Sequence, residues 1–178
     1  MFIYIAGIGN SGADHWQRRW HERTPGATWV EHESWDRPSR QEWVRDIAQA
    51  IDRSSDGVII VAHSLGCLAA LEWARQLGSP KLAGAFLVSV PDPAGPEFPA
   101  EARGFSDLRL AVVQIPTIVV SSSNDPYGSS AFHASVGTAI GAELVDVGER
   151  GHINTASGLG DWDEGWAILE RSLLAGRS

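Results

Sequence analysis

The sequence predicts an α/β fold in which a mostly parallel sheet of about six strands carries helices on both faces. Short apolar runs alternate with amphipathic helical segments along the whole chain. Such alternation is typical of parallel strands joined by crossover helices. The run from Val58 to Val61 is apolar without a period of two, which indicates a central strand covered on both faces.

The first elements come before this central strand. Apolar runs predict strands over residues 2–6 and 29–32, with a helix over 14–23 between them. A second helix should start near Ser39, because Ser39 and Glu42 have the spacing of a capping box. The apolar face of that helix consists of Trp43, Val44, Ile47, Ala48 and Ile51. We expect this face to pack in the core.

The remaining elements follow the central strand. In order, they are a helix over 65–77, strands over 83–90 and 115–121, a helix over 129–140 and a strand over 143–147. A final helix would carry Trp162, Trp166, Leu169 and Leu173 on one face, against the sheet. The segment 91–110 is rich in Pro, Gly and charge and is long for a plain connection. We therefore predict a functional loop or small cap there.

Size and composition limit the possible functions. At 178 residues, 43% hydrophobic and 20% charged, the chain fits one globular domain over residues 1–178, with 91–110 as its loop or cap. The formal net charge of −8 argues against nucleic acid as a partner. The sequence has no apolar stretch of about 18 residues and no basic-then-apolar leader. We expect a soluble, cytoplasmic protein without a membrane partner, and the oligomeric state stays open.

A nucleophile is predicted at Ser64. It lies where the central strand gives way to a helix, in a turn that forces a nucleophile into a strained backbone conformation. Strand and helix approach closely there, so the residues two before and two after the serine must be small. They are Ala62 and Gly66, with Ala62 standing where glycine is usual. The alternative is an ordinary serine in a strand-to-helix turn or at a helix N-cap.

Two further residues extend this prediction. Asp125 and His152, like Ser64, each follow a predicted strand, and the carboxyl ends of parallel strands share one edge of a sheet. The chain order of serine, acid and histidine is that of α/β-hydrolases. Serine becomes a useful nucleophile when a histidine takes its proton and a carboxylate orients that histidine.

Each member of this set has an alternative. Asp92 also follows a strand and competes with Asp125 for the role of the acid, although Asp125 is favoured. Asp125 before Pro126 would suit an ordinary turn, and His152 an ordinary surface loop. His63 adjoins the nucleophile and should pack behind the turn rather than act as the base. Cys67, the single cysteine, excludes an internal disulfide and should be a small buried residue.

The loop after the first strand has two possible uses. Acyl transfer needs backbone N–H donors for an oxyanion; one would come from Leu65 and the other from the loop Gly7-Ile8-Gly9. Alternatively, the glycines at 7, 9 and 12 match a dinucleotide-binding pattern, with Glu31 or Glu33 as its acidic residue. We favour the oxyanion role, and we predict no cofactor and no metal, since the candidate residues lack a ligand spacing.

Four motifs together point to a family: Asp-His-Trp at 14–16, Ala-His-Ser-Leu-Gly at 62–66, Ser-Asn-Asp-Pro-Tyr at 123–127 and Gly-His-Ile-Asn at 151–154. With them the chain resembles the small serine hydrolases related to YdeN and to retinoblastoma-binding protein nine. The resemblance implies a minimal α/β-hydrolase fold, a triad of Ser64, Asp125 and His152, and an oxyanion donor at Ile8. Many hydrolases have His-Gly where this chain has Ala6-Gly7.

The predicted function is therefore that of a serine hydrolase acting on a small-molecule ester or amide. The alternative is a binding module of the same fold whose triad is idle, against which the intact serine, acid and histidine argue. Small, uncharged or apolar acyl groups are expected as substrates, because Phe98, Phe105 and the prolines of 91–110 are the predicted apolar wall, with Trp16 near them. Arg103 and Arg109 are candidates for holding a carboxylate instead.

Overall fold

The computed structural model describes residues 1–175, which form one six-stranded sheet. Its strands are β1 (Phe2–Ile5), β2 (Thr28–Trp29), β3 (Val58–His63), β4 (Leu82–Val88), β5 (Thr117–Ser121) and β6 (Glu143–Asp146). The order across the sheet is β2-β1-β3-β4-β5-β6, and every neighbouring pair is parallel. The predicted parallel sheet of about six strands is confirmed.

Helices cover both faces of this sheet. They are α1 (Trp16–Arg23), α2 (Arg40–Asp52), α3 (Leu65–Gln76), α4 (Ser130–Ile140) and α5 (Asp163–Leu169), which continues as a π-helical turn over Glu170–Leu174. Alternate residues of β1 separate the two layers. Ile3 and Ile5 pack with α2, α3 and α4, whereas Tyr4 and Ala6 pack with α1 and α5. The sheet is thus buried between two helical layers, as the sequence predicts.

Strand β3 lies near the middle of the sheet, between β1 and β4, and all six of its residues are buried. A strand covered on both faces has no need for polar alternation, which explains the continuous apolar run. Its position also places the residue that follows it, Ser64, at the centre of the carboxyl edge. Ligand sites in open parallel sheets occur at this edge.

Two local predictions are wrong: the extent of β2 and the capping box at Ser39. Strand β2 covers Thr28–Trp29 instead of residues 29–32, because it pairs with β1 at two positions only. The predicted capping box at Ser39 does not form: the Ser39 side chain makes no hydrogen bond to the start of α2. Instead, the backbone at Ser39 pairs with Arg103, whose carbonyl accepts from the N–H of Arg40 at 3.0 Å. A tertiary contact therefore fixes this helix start.

The segment 91–110 contains no helix or strand. It is anchored where Phe105, fully buried, packs edge-on against Trp43 of α2, with ring centroids 6.3 Å apart. Part of the segment therefore belongs to the core. Among residues 1–175, no helix combines the length and the apolar character that a membrane crossing requires.

Candidate active site

Ser64 occupies a strained turn between β3 and α3. Its backbone angles are φ 53° and ψ −128°, a region that costs free energy for any residue with a Cβ. The sheet holds it there, since the N–H of Ser64 donates to the carbonyl of Val88 on β4 at 2.9 Å. The serine is thereby fixed at the sheet edge by its neighbouring strand.

Two glycines make room for this turn. A methyl group added at Gly66 would lie 2.5 Å from the carbonyl oxygens of Ile5 and Ala6, so α3 starts in direct contact with the end of β1. A methyl group at Gly7 would lie 2.8 Å from the Cβ of Ser64. Both distances are shorter than real Cβ contacts allow, and both positions therefore need glycine.

The structure brings Ser64, His152 and Asp125 together. The Nε2 of His152 is 2.8 Å from the Oγ of Ser64, and its Nδ1 is 2.9 and 3.0 Å from the two carboxylate oxygens of Asp125. All three residues are buried. A carboxylate can only accept, so Nδ1 carries the imidazole proton and Nε2 is free to accept from the serine hydroxyl. This arrangement gives a base positioned at a hydroxyl.

Asp92, the rival acid, has other partners. Its carboxylate accepts from the N–H of Ala94 at 2.9 Å, and its own N–H donates to the carbonyl of Tyr127 at 2.7 Å. It makes no hydrogen bond to His152 within the described residues. Of the two aspartates left open by the sequence, only Asp125 contacts the imidazole.

Side chains before Asp125 connect its loop to the histidine loop. The Oδ1 of Asn124 accepts from the N–H of Gly151 at 2.6 Å and from the hydroxyl of Ser122 at 2.9 Å. The Oγ of Ser122 in turn accepts from the N–H of Arg150 at 2.9 Å. Sequence analysis gave neither residue a role, although Asn124 lies in the quoted motif at 123–127 and Ser122 directly precedes it.

His63 supports the histidine from the other side. Its Nε2 donates to the backbone carbonyl of His152 at 2.9 Å, so it packs beside the turn, as predicted. Its ring centroid is 4.7 Å from that of His15 and 5.1 Å from that of His152. Complete burial holds the pKa of His63 well below its usual value, with repulsion from His15 and His152 as smaller causes. The His63 imidazole is therefore neutral at pH 7.

The candidate oxyanion donors also line this site. Ile8 and Leu65 both border the cavity beside Ser64. Their N–H groups make no hydrogen bond with another group of the described chain. Leu65 is the first residue of α3, where helical N–H groups have no partner within the helix.

The cavity in front of Ser64 has a volume of about 390 Å³. Its wall contains no Lys, Arg, Asp or Glu among the described residues. The predicted apolar wall is right for two prolines and wrong for the aromatic residues. Pro91 and Pro99 of segment 91–110 border the cavity. Phe105 is buried in the core and Phe98 packs against it, while Trp16 donates through Nε1 to the carbonyl of Ile153 at 2.7 Å.

Polar residues that sequence analysis did not assign complete the wall. They are Asn10, His15, Tyr127, Asn154 and Thr155. Arg103 and Arg109, the candidates for binding a carboxylate, do not border the cavity. Three of the five polar residues lie inside the quoted motifs and Thr155 directly follows one, but a motif does not state which of its side chains border a cavity.

The alternative uses of these residues find little support. A dinucleotide site needs a helix that opens on the last glycine, whereas α1 begins only at Trp16. Cys67 is buried, with its thiol donating to the carbonyl of Val88 at 3.4 Å, and burial raises its thiol pKa. Residues 1–175 contain no group of three or more His, Cys, Asp or Glu arranged to hold a metal ion.

Residues 2–171 match a protein-family model described as serine hydrolase. The chain belongs to the serine hydrolase family. It is similar to the crystal structure of a YdeN-like hydrolase from Pectobacterium atrosepticum, with 30% identity, coverage of 97% of this chain and 89% of the other, and a TM-score of 0.85. The serine hydrolase family, to which the sequence motifs already pointed, is therefore confirmed.

Two more distant structures support the fold alone. The ydeN gene product of B. subtilis is 21% identical, over 96% of this chain and 97% of that one, with a TM-score of 0.82. An epoxide hydrolase of the α/β-hydrolase superfamily, from metagenomes of hot environments, is 14% identical over 98% and 90%, with a TM-score of 0.70. The chain thus has the predicted α/β-hydrolase fold. No curated protein matches this sequence at a significant level.

Proposed function

We propose that this serine hydrolase cleaves small carboxylic esters, with small amides as a second substrate class, through an acyl-enzyme on Ser64. One observation carries the proposal. The Nε2 of His152 lies 2.8 Å from the Oγ of Ser64, while Asp125 holds the opposite nitrogen of the same ring. A hydroxyl, a base and a carboxylate at these distances constitute the machinery of nucleophilic acyl transfer.

In the first half of the reaction, the Oγ of Ser64 attacks the ester carbonyl carbon as its proton passes to Nε2 of His152. Asp125 stabilises the imidazolium that forms. The carbonyl becomes an oxyanion, which accepts from the N–H groups of Ile8 and Leu65. Collapse breaks the bond to the alcohol oxygen, and the alcohol leaves with the proton from Nε2.

Water completes the second half. It gives a proton to Nε2 of His152 and attacks the acyl carbon, and a second oxyanion forms against the same two N–H groups. Collapse then breaks the bond to Ser64, whose Oγ regains the proton. The products are a carboxylic acid and an alcohol. An oxyanion donor of this kind is worth about 10²- to 10³-fold in kcat.

The cavity supports a small, neutral substrate. A volume of about 390 Å³ lies at the low end of ligand pockets, and a wall without charged side chains gives no counter-ion to a charged acyl group. The uncharged substrate predicted from sequence is kept here on this different ground. We also propose that the enzyme acts in the cytoplasm on small molecules, without nucleic acid or membrane as partners, which rests on the composition alone.

The alternative is a binding module that keeps the triad but no longer uses it. The contacts among Ser64, His152 and Asp125 argue against this, because an idle site has no need to hold the three side chains at hydrogen-bonding distances. A fluorophosphonate probe separates the two. We expect covalent labelling of the wild type and of Ser123→Ala, but not of Ser64→Ala. Ser123 is an exposed serine two residues before Asp125.

Turnover of short p-nitrophenyl esters provides the second readout. The wild type should hydrolyse them at rates far above those of Ser64→Ala, at equal melting temperature. Labelling that persists in Ser64→Ala would disprove the role of this serine. Labelling of Ser64 without turnover of any ester or anilide would favour the binding module.

A further inference from the structure

Gln17, the second residue of α1, lies between that helix and the sheet with none of its surface exposed. The other buried residues of α1, Trp16 and Trp20, are aromatic. A polar group in such surroundings costs free energy unless its donors and acceptors are hydrogen-bonded. The partners of the Gln17 amide therefore indicate what a glutamine contributes at this position.

The amide nitrogen of Gln17 connects two strands. It donates to the carbonyl of Ile5 on β1 and to the carbonyl of Val61 on β3, both at 3.0 Å. Because a carbonyl can only accept, the nitrogen must face these two groups and the amide oxygen faces away from them. The pairing of β1 with β3 ends at Ile5 and Ala62. The amide therefore holds the two strands together close to the point where their own pairing stops.

The amide oxygen holds the loop that follows β1. It accepts from the hydroxyl of Ser11 at 3.0 Å, and Ser11 is 2% exposed. The Nε of Arg18, the next residue of α1, donates to the carbonyl of Ser11 at 3.2 Å. Within the loop, the N–H of Asn10 donates to the carbonyl of Gly7 at 3.1 Å, which closes a turn around Ile8. Two successive side chains of α1 thus fix the end of the turn that presents Ile8.

The strands that Gln17 connects carry the two proposed oxyanion donors. Ile8 follows β1, and Leu65 follows β3 and begins α3. The carbonyl of Ile5 is also one against which α3 starts, since a methyl group at Gly66 would lie 2.5 Å from it. The separation between the N–H groups of Ile8 and Leu65 therefore depends on the approach of β1 to β3 and α3, which the Gln17 amide holds.

We propose that Gln17 is a positioning residue for the oxyanion hole, which fixes the N–H of Ile8 relative to that of Leu65 through the strand ends and through Ser11. This proposal rests on the proposed function and deepens it. Neither Gln17 nor Ser11 borders the cavity, so neither contacts the substrate. A misplacement of about 1 Å can cost about a hundredfold in rate. Loss of Gln17 therefore slows both halves of the reaction and leaves substrate binding nearly unchanged.

The first test is kinetic. Gln17→Met keeps a long unbranched side chain of high helix propensity but removes all three hydrogen bonds. With p-nitrophenyl butyrate, kcat should fall about ten- to a hundredfold, and KM should change less than about threefold. Gln49→Met makes the same replacement at an exposed position of α2 and should keep the kcat of the wild type.

A second variant separates the loop from the strands. Ser11→Ala removes the contact between the loop and the Gln17 amide but leaves β1 and β3 connected. It should lower kcat about tenfold, again with KM changed less than about threefold. This milder variant decides the outcome if Gln17→Met does not fold.

The second test observes the oxyanion donors directly. The reagent p-nitrophenyl N,N-dimethylcarbamate transfers its carbamoyl group to the Oγ of Ser64. The serine proton passes to Nε2 of His152, and p-nitrophenol leaves with that proton. The carbamoyl-enzyme hydrolyses slowly, so its infrared spectrum can be recorded. Hydrogen bonds from Ile8 and Leu65 lower the stretching frequency of the carbamoyl carbonyl, which a ¹³C label identifies in the difference spectrum.

This frequency distinguishes the oxyanion hole from the base. It should be higher in Gln17→Met and in Ser11→Ala than in the wild type, because their donors are displaced from the carbonyl oxygen. Asn124→Ala changes a residue that holds the histidine loop instead. It should keep the frequency of the wild type.

Two results would overturn the proposal. One is an unchanged kcat in both Gln17→Met and Ser11→Ala; the other is a lower kcat with the carbonyl frequency of the wild type. Failure of the proposed function would be distinct, because the wild type itself would then take up neither the fluorophosphonate nor the carbamoyl group at Ser64.

Discussion

The two sides of the site are held by different forces. On one side, Ser64 is fixed by shape: its turn has a positive φ, and Gly7 and Gly66 let β1 and α3 come closer than any side chain would permit. On the other side, Asp125 and His152 are fixed by polar contacts, because Ser122 and Asn124 bond to backbone N–H groups of the histidine loop. His63 bridges the two sides.

This difference predicts how each side fails. A methyl group added at Gly66 cannot be accommodated, because it would meet the backbone carbonyls of Ile5 and Ala6 at the end of the buried strand β1. Loss of a polar group in the loops of Asp125 and His152 leaves the sheet unaffected but removes a contact that positions the imidazole of His152. Changes at the turn of Ser64 should therefore lower the free energy of unfolding, and changes in the loops of Asp125 and His152 should lower turnover.

The largest expected effect lies in the loops. Asp125→Asn replaces an acceptor that fixes the imidazole tautomer, so kcat for a small ester should fall by about 10⁴-fold, as in serine proteases. The melting temperature should stay close to that of the wild type. Asp92→Asn changes a carboxylate that bonds only to the N–H of Ala94 in its own turn, and it should cost about tenfold or less. A larger loss in Asp92→Asn than in Asp125→Asn would reverse the assignment of the acid.

The next effect lies at the turn of Ser64. Gly66→Ala should lower the free energy of unfolding by about 3 kcal/mol or more, because the new methyl group meets two carbonyl oxygens at 2.5 Å. Gly12→Ala is the matched control: the space around Gly12 is open, and the change should stay within about 0.5 kcal/mol. Urea unfolding measures both. Equal stability of the two variants would contradict fixation by shape.

A smaller effect separates position from chemistry. Asn124→Ala removes the acceptor for Gly151 N–H and Ser122 Oγ, and kcat should fall about ten- to a hundredfold through misplacement of His152. KM should change little, because Asn124 does not border the cavity. Ser123→Ala, on the exposed neighbouring residue, should retain full activity. A rise in KM without a change in kcat would refute the positioning role.

The smallest effect concerns His63, which connects the two sides of the site. Well above pH 6.5, His63 is neutral in the folded and the unfolded chain, and it adds no pH dependence. As the pH falls below that value, His63 becomes protonated in the unfolded chain but stays neutral in the folded chain, because its folded pKa is well below the usual one. Stability is therefore lost on acidification.

His63→Gln tests this bridge, since glutamine keeps an N–H for the His152 carbonyl and cannot titrate. The slope of unfolding free energy against pH should be smaller than in the wild type by up to about 1.4 kcal/mol per pH unit, the limit for one proton, which is approached near pH 5. Well above pH 7 the two slopes should agree. Identical slopes in the acidic range would mean that His63 accepts a proton in the folded state.

Much of this could be predicted from the sequence. The apolar run before Ser64 and the chain order of Ser64, Asp125 and His152 were sufficient to predict a parallel sheet and the residues that meet at its edge. Periodicity works here because both layers are built from long buried runs. It failed at β2, where only two residues pair, and at Ser39, where a contact with Arg103 replaces the capping box.

The walls of the cavity were predicted only in part: two prolines of segment 91–110 border it, but the predicted aromatic residues do not. Phe98 and Phe105 were chosen for their apolar character, but a segment without regular structure does not reveal which of its aromatic residues face the core. Asn10, His15 and Asn154 were missed because a residue type alone does not show whether its side chain borders the cavity. Such contacts are set by tertiary geometry, which a pattern of residue types does not contain.

The hydrogen bonds of two tryptophans have a consequence for how the chain folds during synthesis. Trp16 and Trp20 donate to the carbonyls of Ile153 and Asp161, so α1 is connected to backbone 137 and 141 residues further along the chain. A nascent chain on the ribosome can form β1, α1 and the serine turn early. The histidine loop belongs to the last third of the chain, so it can pack against them only after that part has left the ribosome. We therefore expect the nucleophile to exist before its base, and a stalled chain to carry a serine that cannot yet be activated.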